Sequence, residues 1–152
     1  MSATFVLEDD LSNLPAVMKQ YDDEIVKAKE HLDLDGKSLL QANREQPSWY
    51  CHYYRLYQEV KAIQSLVEAK LEAKKGSLWR QYKEHHSIAL SSTDINHYIE
   101  DNASYSKLKH LFIITTEMVG MMNVLVKAFE QRGYVLRNLT EARVHEIENA
   151  LL

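Results

Sequence analysis

The stretch FIITTEMVGMMNVLVKAFEQRGYVLRN, Phe112 to Asn138, decides how this chain is read. Between Lys109 and Lys127 lie 17 residues whose only formal charge is Glu117, with His110 taken as neutral. That run is about five helical turns long. Leu108, Leu111, Thr115, Met118, Met122, Leu125 and Phe129 recur at spacings of three and four, so they line one helix face. A second face is apolar through Phe112, Val119 and Val126, with Ile113, Met121 and Val124 beside it. A helix apolar nearly all round must be buried nearly all round. Two readings are open: the chain's other helices wrap it, or a second copy covers what they leave bare. A chain of about five helices rarely encloses one of them, which favours the second copy. That reading nominates Leu111, Phe112, Met118, Val119, Met122, Leu125, Val126 and Phe129 for oligomerisation.

The rest of the chain fits one soluble helical domain. It has 152 residues, 45% hydrophobic and 26% charged, enough for a modest core. With only 4 Gly and 2 Pro and no alternating β-branched runs, the expected class is all-α: about five helices, two of them long. Residues 1–33 form an acidic N-terminal helical segment and residues 34–152 the core. Cys51 stands alone, which excludes an intramolecular disulfide and suits a reducing cytoplasm; it reads as a buried small residue rather than a nucleophile. The N-terminal MSATFVLEDD turns acidic where a signal peptide needs its apolar core. The bare helix is interrupted by Glu117, Asn123 and a Thr pair, whereas a membrane span needs about 20 apolar residues.

Punctuation residues suggest the helix boundaries. Ser12 or Asn13 can cap a first helix with Pro15 in its first turn, and Gly36 breaks it. KSLLQANREQ reads as a short helix ending before Pro47, because the residue before proline avoids α geometry. From Pro47 to about Glu84 a long helix carries Trp49, Tyr53, Leu56, Val60, Ile63 and Val67 as a coiled-coil-like stripe, drifting to Leu71, Leu78 and Tyr82. Gly76 inside it suggests a close approach or a kink. Ser92 or Thr93 can cap a short helix, and a turn at Asn102 leads into the bare helix. Gly133 is a natural stop for that helix, and a last one starts near Asn138.

Catalytic patterns are missing. There is no glycine-rich phosphate loop, no GxSxG and no paired Glu-x-x-His, so no enzyme, cofactor or metal is expected. His85 and His86 are adjacent and point about 100° apart on a helix, a poor metal pair. The aromatic cluster Trp49, Tyr50, Tyr53, Tyr54 and Tyr57 could stack bases, but its helical spacing favours packing. Charge is uneven although the net is −4: residues 1–35 carry −6, residues 36–84 carry +4 and residues 85–152 carry −2. The basic centre suits an anionic partner. Within it Lys70, Lys74, Lys75, Arg80 and Lys83 oppose only Glu68 and Glu72, making them the DNA-binding candidates; a plain solvated face is the competing reading. One such patch binds weakly, and repetition around an oligomer adds avidity.

Three stretches resemble the UvsY family of phage recombination mediators. They are LDLDGKSLLQANREQPSWYCHYYRLYQEVKAI, the short LWRQY, and SSTDINHYIEDNASYSKLKHL followed by VLVKAFEQRGYVLRNLTEAR. The last includes the motif positions Arg132, Gly133, Tyr134, Arg137 and Asn138. The resemblance covers about residues 34–145. It implies an all-helical, non-enzymatic protein in a hexameric or heptameric ring. It further implies binding of single-stranded DNA and contacts with the phage recombinase and the single-stranded DNA-binding protein in the host cytoplasm. The alternative is a helical oligomeric adaptor without DNA affinity. The basic residues that precede the aromatic stretch in the family are replaced here by Gly76, Ser77 and Leu78, and residues 1–33 have no counterpart.

Overall fold

A computed structural model describes residues 10–85 and 89–150, with the backbone alone at positions 148 and 150. A 3-10 turn at Leu11–Asn13 leads into α1 (Leu14–Leu32), followed by α2 (Leu39–His85), α3 (Ser92–Asp101) and α4 (Ala103–Ala150). Among the described residues there is no strand, so the all-α class holds, with four helices instead of about five. The difference comes from two expected breaks that do not occur.

Pro47 was expected to separate two helices, yet it lies inside α2. A proline inside a helix costs about 3 kcal/mol. Tertiary bonds on both sides outweigh that cost. Gln46 Nε2 donates to the Phe129 carbonyl at 2.6 Å, and Arg132 Nη1 donates to Gln46 Oε1 at 2.6 Å and to the Ala42 carbonyl at 3.4 Å. Beyond the proline, Tyr53 stacks on Phe129 with ring centroids 4.5 Å apart. Gly133 was the expected stop of the bare helix, and α4 runs straight through it. Its lack of a side chain serves packing instead: a Cβ there would stand 3.1 Å from Gln46 Nε2.

Three smaller expectations also change. Asp10, not Ser12 or Asn13, caps the N-terminal turn, accepting from the Ser12 amide at 2.8 Å. Ser91 caps α3 in a capping box with Asp94, one residue before the expected Ser92. Nothing lies within 4 Å of a Cβ placed on Gly76, so no close approach explains that glycine. The break at Gly36 is there, with φ +72 in the loop between α1 and α2. Asn102 does join α3 to α4: it ends α3, and its Oδ1 accepts from the amides of Ser104 and Tyr105.

The chain divides into two compact units. One comprises residues up to Val17 together with Glu59–Val119, the other Met18–Gln58 together with Gly120–Leu152. In the first, the C-terminal half of α2 runs antiparallel to the start of α4. Leu71 and Leu78 meet Ile95, Ile99 and Tyr105, with Trp79, Tyr82, Leu108 and Phe112 packed around them. In the second, α2 and α4 again run antiparallel: Asn43 meets Thr140, Gln46 meets Arg132, and Tyr50 meets Glu130. There α1 docks on α2 through His31, which stacks on Trp49 at 3.6 Å while its Nδ1 lies 2.8 Å from the Tyr53 hydroxyl.

The stripe of α2 that the sequence marked is the core: Tyr53, Val60, Ile63 and Val67 are wholly buried. In α4 most of the nominated oligomerisation residues are occupied by the chain itself. Leu111, Met118, Met122, Leu125, Val126 and Phe129 are buried, and Phe112 and Val119 half-buried. What stays uncovered is Ile113, Met121 and Val124, then Tyr134, Val135, Leu139, Val144 and Ile147. By length and composition alone α4 is apolar enough to cross a membrane, more so than its polar interruptions suggested. Only 33% of its most apolar window is buried, which locates the bare surface on this helix. Buried soluble core helices pass the same test of composition. Cys51 is exposed rather than buried.

Candidate nucleic-acid interface

The basic residues lie where α2 leaves its leucine stripe. Helical geometry sets Lys70 and Lys74 about 40° apart, Lys75 about 100° beyond Lys74, and Arg80 and Lys83 about 60° apart on another side. Five sequence neighbours therefore do not make one patch. Lys70 and Lys74 are half-buried along the flank of the buried Val67 and Leu71, a position in which a lysine stem covers apolar surface. Lys75 is exposed on the side of Glu68 and Glu72, where neighbouring carboxylates offset it. Arg80 and Lys83 are exposed and flank Trp79 and Tyr82, whose rings are engaged in the core of this unit. Among the described residues Lys74, Lys75, Arg80 and Lys83 make no ion pair.

The structure adds a residue that the sequence reading passed over. The carboxyl of Asp10 is held below its ordinary range, first by its bonds to Ser12 and then by the charges of Lys107 and Lys70. Lys70 of α2 and Lys107 of α4 are thus both within electrostatic reach of Asp10. Lys107 belongs to the KLK stretch, and that run was the available signal; its neighbour Lys109 is tied to Glu100 at 3.3 Å. Lys70 and Lys107, with Lys74 one turn further along α2, make a candidate positive flank that also carries the Asp10 carboxylate. The acidic segment reaches it through Asp10.

The open groove of about 440 Å³ lined by Pro47, Ser48, Cys51, His52 and Arg55 holds a thiol and an imidazole, but His52 Nε2 lies 3.2 Å from Glu24. Among the described residues no cluster of three or more His, Cys, Asp or Glu could hold a metal ion. His85 is exposed, and His86 lies outside the described residues.

No protein-family model matches the sequence, and no curated protein matches it either. A solved structure does: the crystal structure of the bacteriophage T4 recombination mediator protein UvsY. The two superpose with a TM-score of 0.71 over 83% of this chain and 98% of UvsY, at 12% sequence identity. The chain has a UvsY-like fold.

Against that fold, the motif residues that carried the resemblance divide into structural and exposed positions. Arg132 is buried, and its Nε and Nη2 have no partner among the described residues. Burial pushes its guanidinium down from the usual range, with Glu45 acting in the opposite direction. Gly133 makes room for Gln46. Tyr134 is exposed and lies under the Arg137 guanidinium at 5.9 Å, and Asn138 is exposed. The first two positions of the motif therefore hold a UvsY-like helix pair together, while the later ones face outward.

Proposed function

We propose that this chain is a recombination mediator. In this reading it binds single-stranded DNA along the Lys70–Lys74–Lys107 flank and assembles into a ring-like homo-oligomer, a hexamer or heptamer. Without catalysis or a cofactor it helps load a phage recombinase in place of the single-stranded DNA-binding protein, in the host cytoplasm. The observation that carries the reading is the superposition on almost the whole of UvsY, a recombination mediator. Two features support it. The flank presents ammonium groups suited to phosphates. The uncovered apolar side chains of α4 supply a surface that another copy can bury, and repetition multiplies a weak patch through avidity.

A second reading keeps the helical oligomer as an adaptor without DNA affinity. It is favoured by the net charge of −4 and by Glu68 and Glu72 beside Lys75. Fluorescence anisotropy with a labelled single-stranded oligonucleotide, stepped through salt, separates the two. The mediator reading expects binding that falls as salt rises, because lysine–phosphate contacts release counterions. Absence of binding at low salt leaves the adaptor. Light scattering on the same sample reports whether the protein exceeds the mass of one chain.

A further inference from the structure

The aromatic residues of α2 separate into two rows. Trp49 and Tyr53 turn inward: Tyr53 is wholly buried and stacked on Phe129, and Trp49 stacks on His31. Tyr50, Tyr54 and Tyr57 do not join them. Spaced at i, i+4 and i+7, they fall within about 60° of one another on one side of α2. Their rings touch in series, with centroids 6.0 Å apart from Tyr50 to Tyr54 and 6.4 Å from Tyr54 to Tyr57. Tyr54, in the middle, is 45% exposed. Core packing, which explains the first row, does not explain this one.

The neighbouring stretch of α4 brings charges of both signs to the row. Tyr50 donates its hydroxyl to Glu130 at 3.1 Å, which fixes where α4 passes. Lys127 lies one turn before Glu130 on the same side of α4 and is exposed. Because α4 runs antiparallel to α2 in this unit, that turn is level with Tyr54. The Glu130 carboxylate keeps its negative charge while it accepts from Tyr50, so the row has an anion at its Tyr50 end and, one turn back along α4, the Lys127 cation towards its middle.

We propose that Tyr50, Tyr54 and Tyr57 form a stacking surface for the bases of single-stranded DNA, with Lys127 meeting the backbone beside them. This deepens the mediator reading and rests on it. From Tyr50 to Tyr57 the helix rises about 10 Å, enough for about three bases at ~3.4 Å each. Base–aromatic stacking is tolerant of sequence, since every base has a π-face, and such surfaces work alongside lysine contacts to the backbone. The two contributions are separable: the Lys70–Lys74–Lys107 flank attracts a sugar–phosphate chain with or without bases, whereas the tyrosine row needs the bases.

The test compares a labelled mixed-sequence oligodeoxynucleotide with an abasic strand of equal length, at one moderate salt concentration. Wild type should bind the normal strand roughly tenfold more tightly. Tyr54→Ala should lower the affinity for the normal strand severalfold and leave the abasic affinity unchanged, while Tyr54→Phe keeps the full preference. Equal affinity of wild type for both strands overturns the stacking surface and leaves the mediator reading standing. Failure of wild type to bind either strand sinks both. A Tyr54→Ala protein of unchanged helicity but smaller mass makes this row a contact between copies and also overturns the proposal.

Discussion

Gln46 and Gly133 are in contact: a Cβ on Gly133 would stand 3.1 Å from Gln46 Nε2. The amide is not free to swing away. Its nitrogen donates to the Phe129 carbonyl at 2.6 Å and its oxygen accepts from Arg132 at 2.6 Å. Within a helix alanine is favoured over glycine by about 1 kcal/mol, but disturbing two tight, partly buried hydrogen bonds costs about 1 kcal/mol each or more. Gly133→Ala should therefore lose about 1 kcal/mol of stability. Gly76→Ala and Gly120→Ala, with nothing within 4 Å, should each gain up to about 1 kcal/mol. Urea denaturation of the three variants checks the contrast, and a stabilised Gly133→Ala would mean that Gln46 relaxes without loss.

Met122 and Val124 lie two residues apart and should respond oppositely. Met122 is wholly buried, so Met122→Ala removes core volume and should cost about 2–5 kcal/mol in the folding of the chain itself. Val124 is 68% exposed and Leu139 48%. Val124→Lys and Leu139→Lys should leave helicity and melting of the fold nearly intact while lowering the mass seen by sedimentation. Full-size assemblies from both lysine variants would move the contact between copies away from this face of α4.

Alkali should weaken the protein through Tyr53. Burial raises its phenol from 10.0 to about 12. The folded state holds that proton more tightly than the unfolded chain does. The contribution is complete below the unfolded value near 10 and is lost as pH rises towards 12. At 1.36 kcal/mol per unit the full effect is on the order of 2–3 kcal/mol. Guanidinium unfolding at pH 9 and pH 11 should register the fall in wild type. Tyr53→Phe should be less stable at pH 9, having lost the bond to His31, but nearly insensitive to this pH step.

The acid side has its own sign. His31 sits below its ordinary 6.5, because burial, and then Lys37, disfavour its charged form. Glu24 sits below 4.5, chiefly through its hydrogen bond from Lys27. Both groups bind protons more readily when the chain unfolds. Each contributes stability above its unfolded value that is lost as pH falls through the folded one, His31 first and Glu24 later. Melting followed from pH 7 to pH 4 should decline in that order, and His31→Gln should remove the earlier part.

Charge reversal can test the split among the lysines. Lys70→Glu with Lys74→Glu should weaken oligonucleotide binding and reduce the salt slope by about 1.4, at about 0.7 per phosphate contact for single strands. Lys75→Glu, on the side of Glu68 and Glu72, should change affinity far less. Equal losses from both variants would spread the interface around α2.

The sequence alone determined the class, the stripe Tyr53–Leu56–Val60–Ile63–Val67, the break at Gly36, the turn at Asn102 and the unusual bareness of α4. Each of these follows from local periodicity or from one residue's backbone preference. It misjudged Pro47 and Gly133, because a breaker's cost of about 1–3 kcal/mol is local, while the bonds that offset it come from residues more than 80 positions away, Gln46 to Phe129 and to Arg132. Nor could spacing tell which apolar face of α4 the chain covers. That depends on tertiary packing, which buries Met122, Leu125 and Phe129 and leaves Met121, Val124 and Leu139 bare. For the basic residues, composition located the segment. Helical spacing alone turns Lys75 to the side of Glu68 and Glu72; only the packing of α4 beside α2 decided that Lys107 joins Lys70 within reach of Asp10 and that Trp79 packs against the core.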